Sequence, residues 1–220
     1  MHYSRSSLAV FQSGIELLIQ RSLQQITVLN AIRHYGYDEP RLHQMQALNA
    51  DLLKLAETVE QAKKDRQALF KEKRRMYAAI KRDYMRYLKL TRILLAEDKN
   101  AVKVLMLNGI RERKLKDFTF QMTTFVSNLL NSRDWLNALS VYNISPEDLR
   151  SLDARLKDLM RLDGQCNEAQ NEVKRLLIQR KKKLLEMQRQ VSDFVKVLRI
   201  ALEQQSNLLA GLGLTTKNKD

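Results

Sequence analysis

Residues 41–95, RLHQMQALNADLLKLAETVEQAKKDRQALFKEKRRMYAAIKRDYMRYLKLTRILL, hold neither glycine nor proline, and apolar side chains recur through them three and four apart. Met45, Leu48, Leu52, Leu55, Val59, Ala62, Leu69, Met76, Ile80, Tyr84 and Leu94 form one seam, the spacing of an amphipathic helix. A second seam runs through Leu152, Leu156, Leu159, Leu162, Cys166, Ala169, Val173, Leu176, Met187, Val191, Phe194 and Leu198. Unbroken, such a helix of some 60 residues would extend about 90 Å at 1.5 Å per residue, as a coiled-coil-like rod. Arg66 and Lys73 interrupt the first seam and Gly164-Gln-Cys-Asn167 the second, so breaks near 60–66 and 164–170 are the alternative.

The two seams belong to a larger pattern. Sliding the chain over itself by 107 residues places Val28-Leu-Asn-Ala-Ile32 on Trp135-Leu-Asn-Ala-Leu139, Phe11 on Phe118, Leu42 on Leu149 and Arg92-Ile93 on Arg199-Ile200, with no gap. About twenty of some hundred aligned positions are identical, most of them apolar or basic, which reads as a tandem duplication. The first helical repeat covers 1–108 and the second 109–220, expected to pack as one structural unit.

Each repeat opens with an amphipathic segment of about 26 residues, Leu8–His34 and Asp117–Val141. Tyr35-Gly-Tyr-Asp-Glu-Pro40 breaks the first and Tyr142-Asn-Ile-Ser-Pro146 the second. Ser145 is suited to accept from an orphan N–H of the next helix, Pro146 to fill its first position, and Glu147 and Asp148 to meet its positive end. Asp38-Glu39-Pro40 is a looser form of the same start. Loops carrying Leu105-Met-Leu-Asn-Gly109 and Leu212-Gly-Leu214 close the copies, and the lysine-asparagine tail 217–220 is expected to be loose.

Six glycines and two prolines in 220 residues leave too little turn chemistry for a sheet fold. The expected class is therefore all-α: two tandem copies of a short helix, a turn and a long helix, forming an antiparallel helical bundle with elongated coiled-coil-like character. A single cysteine excludes an internal disulfide and fits a reducing compartment. With no run of 18 apolar residues and no long apolar leader, the expectation is a cytoplasmic protein without a transmembrane segment.

The net charge of +14 is concentrated. Residues 63–92 hold twelve Lys and Arg against three acids, and residues 170–199 nine against three, so the rest of the chain is close to neutral. Six positions are basic in both copies: Lys73/Arg180, Arg74/Lys181, Arg75/Lys182, Arg82/Arg189, Lys89/Lys196 and Arg92/Arg199. Arg75, Arg82 and Lys89 are seven apart and share one helix face, reading as a basic ridge. Such a ridge is either a solvated face of good helix formers or a surface for a polyanion, nucleic acid or anionic membrane.

Tyr77, Tyr84 and Tyr87 interleave with these charges, but their counterparts Leu184, Val191 and Phe194 mark core positions rather than a base-stacking platform. Trp135 pairs with Val28 and reads as core in the same way. Asn30 and Asn137 read either as polar register-setting residues between helices or as half-exposed ones. His34 and His43 flank the first turn and His2 lies at the start, with no metal spacing among them. Cys166 aligns with Val59 and reads as buried rather than nucleophilic. No catalytic, cofactor or metal constellation is expected. The leading functional expectation is a non-enzymatic helical scaffold or protein-interaction module, with self-association through an apolar strip. The alternative is polyanion binding through the ridge.

Overall fold

The computed structural model describes residues 7–214, and among them every regular element is helical. The order is α1 (Leu8–Gln24), α2 (Ile26–Arg33), α3 (Glu39–Leu94), α4 (Lys99–Val104), α5 (Leu115–Leu130), α6 (Arg133–Ser140), α7 (Pro146–Ala201) and α8 (Ser206–Gly211). The chain is all-α, and no helix among the described residues is long and apolar enough to cross a membrane. The tail 217–220 expected to be loose, like His2, lies outside the described residues.

The second four helices begin 107 residues after the first four: Leu115 after Leu8, Arg133 after Ile26, Pro146 after Glu39 and Ser206 after Lys99. Left-handed backbone recurs at the same interval. Gly36 has φ 78° and Asn143 φ 55°, and Met106 has φ 51° and Gly213 φ 75°. Both pairs end a short helix, where a left-handed residue turns the chain away and leaves N–H groups to close on the last carbonyls. Thus Tyr37 donates to the Ile32 carbonyl at 3.2 Å and Ile144 to that of Leu139 at 3.4 Å.

The 26-residue opening segments differ from the expected single helices. Each is two, because Gln25 is extended (φ −97°, ψ 99°) and Ser132 likewise (φ −120°, ψ 111°). At the second break, the Ser132 hydroxyl accepts from the Trp135 N–H at 3.4 Å and restarts the helix. The closing segments are more than loops: Asp98 accepts from the Asn100 and Ala101 N–H groups at 2.9 Å each and starts α4.

Both long helices run 56 residues without interruption. The polar residues in the seam find partners instead of breaking it. Arg66 Nη1 donates to Gln170 Oε1 at 3.1 Å, and Lys73 Nζ to Asp163 Oδ1 at 2.9 Å. Gly164 is exposed, where it costs the helix only about 1 kcal/mol relative to alanine. The helix starts are as the sequence implies: the Ser145 hydroxyl accepts from Asp148 N–H at 3.1 Å while the Asp148 carboxylate accepts from Ser145 N–H at 2.9 Å. Asp38 accepts from Arg41 N–H at 3.0 Å.

The molecule divides into two compact units, and each takes residues from both halves of the chain. Unit 1 joins the residues up to Lys63 to those from Glu172 onward; unit 2 is Lys64–Asn171. The core of unit 1 gathers Phe11, Ile15, Ile19, Val28 and Ile32 from α1 and α2, Leu42 and Leu52 from α3, Met187, Phe194 and Leu198 from α7, and Leu209 and Leu212 around α8. The core of unit 2 has the same composition by element: Phe118, Met122, Phe125 and Leu139 with Ile80, Tyr84, Leu88, Leu105, Leu149 and Leu156. Cross-helix partners in unit 2 fall in number along α7 as they rise along α3, at 66/170, 73/163 and 83/155.

One polar patch distinguishes unit 1. The Asn49 side chain, 6% exposed, donates to the Gln12 carbonyl and to Glu16, and Gln46 donates to the same carboxylate at 2.9 Å. Leu156 stands where Asn49 would recur, and in unit 2 it is buried among apolar residues.

Candidate functional site

On α3 within unit 2, Lys64, Lys71, Arg75, Arg82, Arg86 and Lys89 follow one another at spacings of 7, 4, 7, 4 and 3. Those spacings return to one face of a helix at 3.6 residues per turn, and Lys64 to Lys89 extends about 38 Å at 1.5 Å per residue. All six are exposed. Between Lys64 and Lys89 the other positions on the stripe are Ala68 and Ala78, so no acidic side chain interrupts it over that span. Arg82, its side chain 81% exposed, comes within 3.8 Å of Asp83; among the described residues the other five have no carboxylate within 4.0 Å.

Uncompensated cations in one row raise the local potential, whereas surface pairs largely cancel it.

The twelve residues singled out by the sequence fall into three groups. Arg75, Arg82 and Lys89 lie on the stripe, and exposed Arg74 lies beside it. Lys73 is turned inward, its side chain 17% exposed and paired with Asp163, while Arg92 donates to the Leu107 carbonyl and fastens the end of α4. The α7 set belongs to unit 1 and has a different surround. Lys181, Lys182, Arg189 and Arg199 are exposed, Arg180 approaches Glu60 at 4.0 Å, and Lys196 pairs with Asp193 at 3.1 Å. Along that face exposed Ile178, Leu185 and Ile200 alternate with the cations.

Lys64, Lys71 and Arg86 were missed by asking for a basic residue in both repeats, since Asn171, Ile178 and Asp193 stand opposite them. Extending the 75/82/89 face along its own helix would have found all three.

On the flank of α3, unit 2 has two open concavities. Arg66, Gln67, Phe70, Lys71, Arg74 and Gln170 line one of about 610 Å³. Lys73, Arg74, Tyr77, Arg113 and Leu115 line the other, of about 240 Å³, so Arg74 belongs to both. Lys73 Nζ lies 4.7 Å from the centre of the Phe70 ring, and Lys81 Nζ 6.0 Å from that of Tyr77. Of the three tyrosines, Tyr84 and Tyr87 are core residues, with Tyr84 edge-on to Phe118 and Phe125 at 5.6 and 5.3 Å. Burial pushes the Tyr84 hydroxyl pKa up although Arg111 donates to it at 2.9 Å. Tyr77 is half-buried, edge-on to Phe118 at 6.0 Å, and burial raises its pKa as well.

A third concavity in unit 2, of about 380 Å³, is apolar. Leu115, Thr119, Leu159 and the exposed Phe120 and Met160 line it.

The remaining candidates are structural in their surroundings. Cys166 is fully buried and its pKa is raised by burial. Trp135 is half-buried and its indole N–H donates to Asp98 at 3.0 Å. Asn30 and Asn137 are both exposed, as are His34 and His43. No group of three His, Cys, Asp or Glu side chains among the described residues is arranged to hold a metal ion.

Compared with protein-family models, curated proteins and solved structures, the chain matches none.

Proposed function

We propose that the chain is a non-enzymatic helical interaction module, built by tandem duplication from antiparallel long helices, that binds a polyanion through the α3 stripe. The observation that supports this reading is the row of six exposed cations from Lys64 to Lys89 with no acid between them on that face. Neutral solvated helix faces mix signs, because interspersed pairs keep local potential low. Each phosphate neutralised by such a row releases a counterion, so affinity must fall steeply with salt, with a slope of about −0.9 per phosphate on duplex DNA.

Fluorescence anisotropy with labelled duplex DNA and single-stranded RNA, at low and physiological salt, tests it. The informative comparison is Arg75→Glu with Arg82→Glu on α3 against Lys182→Glu with Arg189→Glu on α7. Salt-dependent binding removed by the first pair and little changed by the second is the expected result. Binding that ignores both pairs, or none at low salt, defeats the reading.

A protein scaffold is the second reading, supported by exposed Phe120 and Met160 on the rim of the apolar concavity. Its signature is self-association or partner capture with little salt dependence, lost on Phe120→Ser.

A further inference from the structure

We infer that the exposed face of α7 in unit 1, from Lys174 to Ile200, docks on the surface of an anionic lipid bilayer. The inference goes beyond the α3 reading. It concerns another helix face, and either can fail while the other stands.

Lys174, Lys182, Arg189 and Lys196 are followed, three or four residues on, by Ile178, Leu185, Ser192 and Ile200 in turn. Steps of three and four keep all eight on one face, and the row extends about 39 Å at 1.5 Å per residue. All eight are exposed, Ile178 at 70%, Leu185 at 57% and Ile200 at 58%. Met187, Val191, Phe194 and Leu198, which belong to the core of unit 1, lie on the opposite side of the helix, so the row can meet a flat surface without disturbing that core. No acidic side chain interrupts the row. Lys196 pairs with Asp193 at 3.1 Å, while Lys174, Lys182 and Arg189 have no carboxylate within 4.0 Å among the described residues. Exposed Lys181 and Arg199 lie on one flank of the row, and exposed Glu186 and Asp193 on the other.

Cations alone would attract any polyanion; the aliphatic side chains between them narrow the choice. In the other repeat Lys71 and Ala78 stand where Ile178 and Leu185 do, so the α3 stripe offers charge and the α7 row offers charge with hydrocarbon. A nucleic acid presents phosphates and sugars to a helix face and gives isoleucine and leucine no hydrocarbon to enter. A partner helix seated along the row would bury Lys182, Arg189 and Lys196 together with the aliphatics, which is costly without an acid opposite each. An anionic bilayer meets both needs, because its headgroups attract the cations and its acyl chains lie just beneath. Lysine and arginine stems are long enough to keep their charges among the headgroups while the shorter isoleucine and leucine point into the boundary. The helix lies on the bilayer and does not span it, since no helix among the described residues is long and apolar enough to cross a membrane.

The experiment is sedimentation of the full chain with vesicles of phosphatidylcholine alone and of an equal mixture of phosphatidylcholine and phosphatidylserine. It compares wild type with Ile178→Ser/Leu185→Ser, with Lys182→Glu/Arg189→Glu and, on α3, with Arg75→Glu/Arg82→Glu. Melting curves establish that the variants fold. Wild type is expected to bind the mixed vesicles and not phosphatidylcholine alone. The serine pair and the α7 charge reversals should each weaken that binding about tenfold or more, and the α3 pair should change it less than about twofold. Heparin, a polyanion without hydrocarbon, should not distinguish the serine pair from wild type. An environment-sensitive dye on the cysteine of Leu185→Cys, in a Cys166→Val background, should be quenched by lipids brominated in the acyl chain. That measurement decides the matter if the serine pair does not fold. Failure of wild type to bind the mixed vesicles at low salt, undiminished binding by a folded serine pair, or a dye that brominated chains do not quench overturns the membrane assignment and leaves the α3 reading standing. Polyglutamate bound in preference to vesicles, and released by the serine pair, overturns it in favour of an acidic protein partner.

Discussion

Asn128 donates its side-chain amide to the Val104 carbonyl at 2.9 Å, and the residues 107 positions away, Arg21 and Gly211, make the corresponding bond at 2.9 Å. In each unit a side chain late in the first helix holds a carbonyl at the end of the closing helix from the other half of the pattern. In unit 1 the two residues are 190 positions apart, so this bond ties the two ends of the described chain together.

Removing either bond should loosen one closing helix. Arg21→Met is expected to cost about 1 kcal/mol and to speed amide exchange in residues 206–214, and Asn128→Ala to do the same for 99–107. Exchange mapped by mass spectrometry checks both. Uniform acceleration across the chain would show that α4 and α8 open only with the whole unit.

Lys73 and Arg75 are two residues apart and should answer differently to loss of charge. Lys73 is paired with Asp163 at 2.9 Å, with its side chain 17% exposed, whereas Arg75 is exposed and has no carboxylate partner among the described residues. A double-mutant cycle with Lys73→Met and Asp163→Asn is expected to give a coupling of about 1 kcal/mol in thermal or denaturant unfolding. Arg75→Gln should leave stability within about 0.5 kcal/mol and weaken polyanion binding instead. An equal stability loss at both positions would contradict the inward placement of Lys73.

Acid should weaken the helix starts of unit 2. The Ala101 N–H first, then the Trp135 indole, hold the Asp98 carboxyl below its ordinary pKa; the Ser145 N–H and hydroxyl do the same for Asp148. A carboxyl with a folded-state pKa depressed in this way contributes stability that is fully present above its unfolded value of about 4 and lost as pH falls through the folded value. The melting temperature should therefore drop on acidification below about pH 4. The drop should be shallower in Asp98→Asn and Asp148→Asn, which start from a lower melting temperature at pH 7. Trp135 fluorescence, sensitive to the bond from its indole to Asp98, should change over the same range in wild type and in Asp148→Asn but not in Asp98→Asn.

Cys166 should be inert while the protein is folded. It is fully buried and its thiol pKa is raised by burial, so a disulfide exchange reagent is expected to react only as fast as the site opens. Cys166→Val copies the residue at position 59 and should be tolerated, whereas Cys166→Ser buries a hydroxyl and should cost about 1–3 kcal/mol. Fast labelling under native conditions would mean that the α7 seam is open there.

Much of the architecture is legible in the sequence. The seam spacing gave the two long helices, and Ser145-Pro-Glu-Asp148 announced the start of α7 because capping is a local interaction among four neighbouring residues. The break at Gln25 was not legible, because the apolar period continues through it and no side chain caps the helix there, whereas that at Ser132 carries a local serine cap that the continuing apolar period masked. The seam favoured a continuous α3 over one broken near 60–66, but did not decide between them. Whether Arg66 and Lys73 end a helix depends on Gln170 and Asp163, about a hundred residues later in the chain.

The candidate surface divides in the same way. Sequence alone determined that the protein is helical and that its positive charge is gathered in two corresponding stretches, because helix period and composition are properties of neighbouring residues. Tertiary structure decided which of those charges are available. Lys73 is compensated by Asp163, Arg92 is spent on the Leu107 carbonyl, and Lys64, Lys71, Arg75, Arg86 and Lys89 are left without a carboxylate within 4.0 Å among the described residues. The physical reason is that a cation's charge is fixed by its chemistry, whereas its compensation depends on which distant carboxylates and carbonyls the fold brings within a few ångströms.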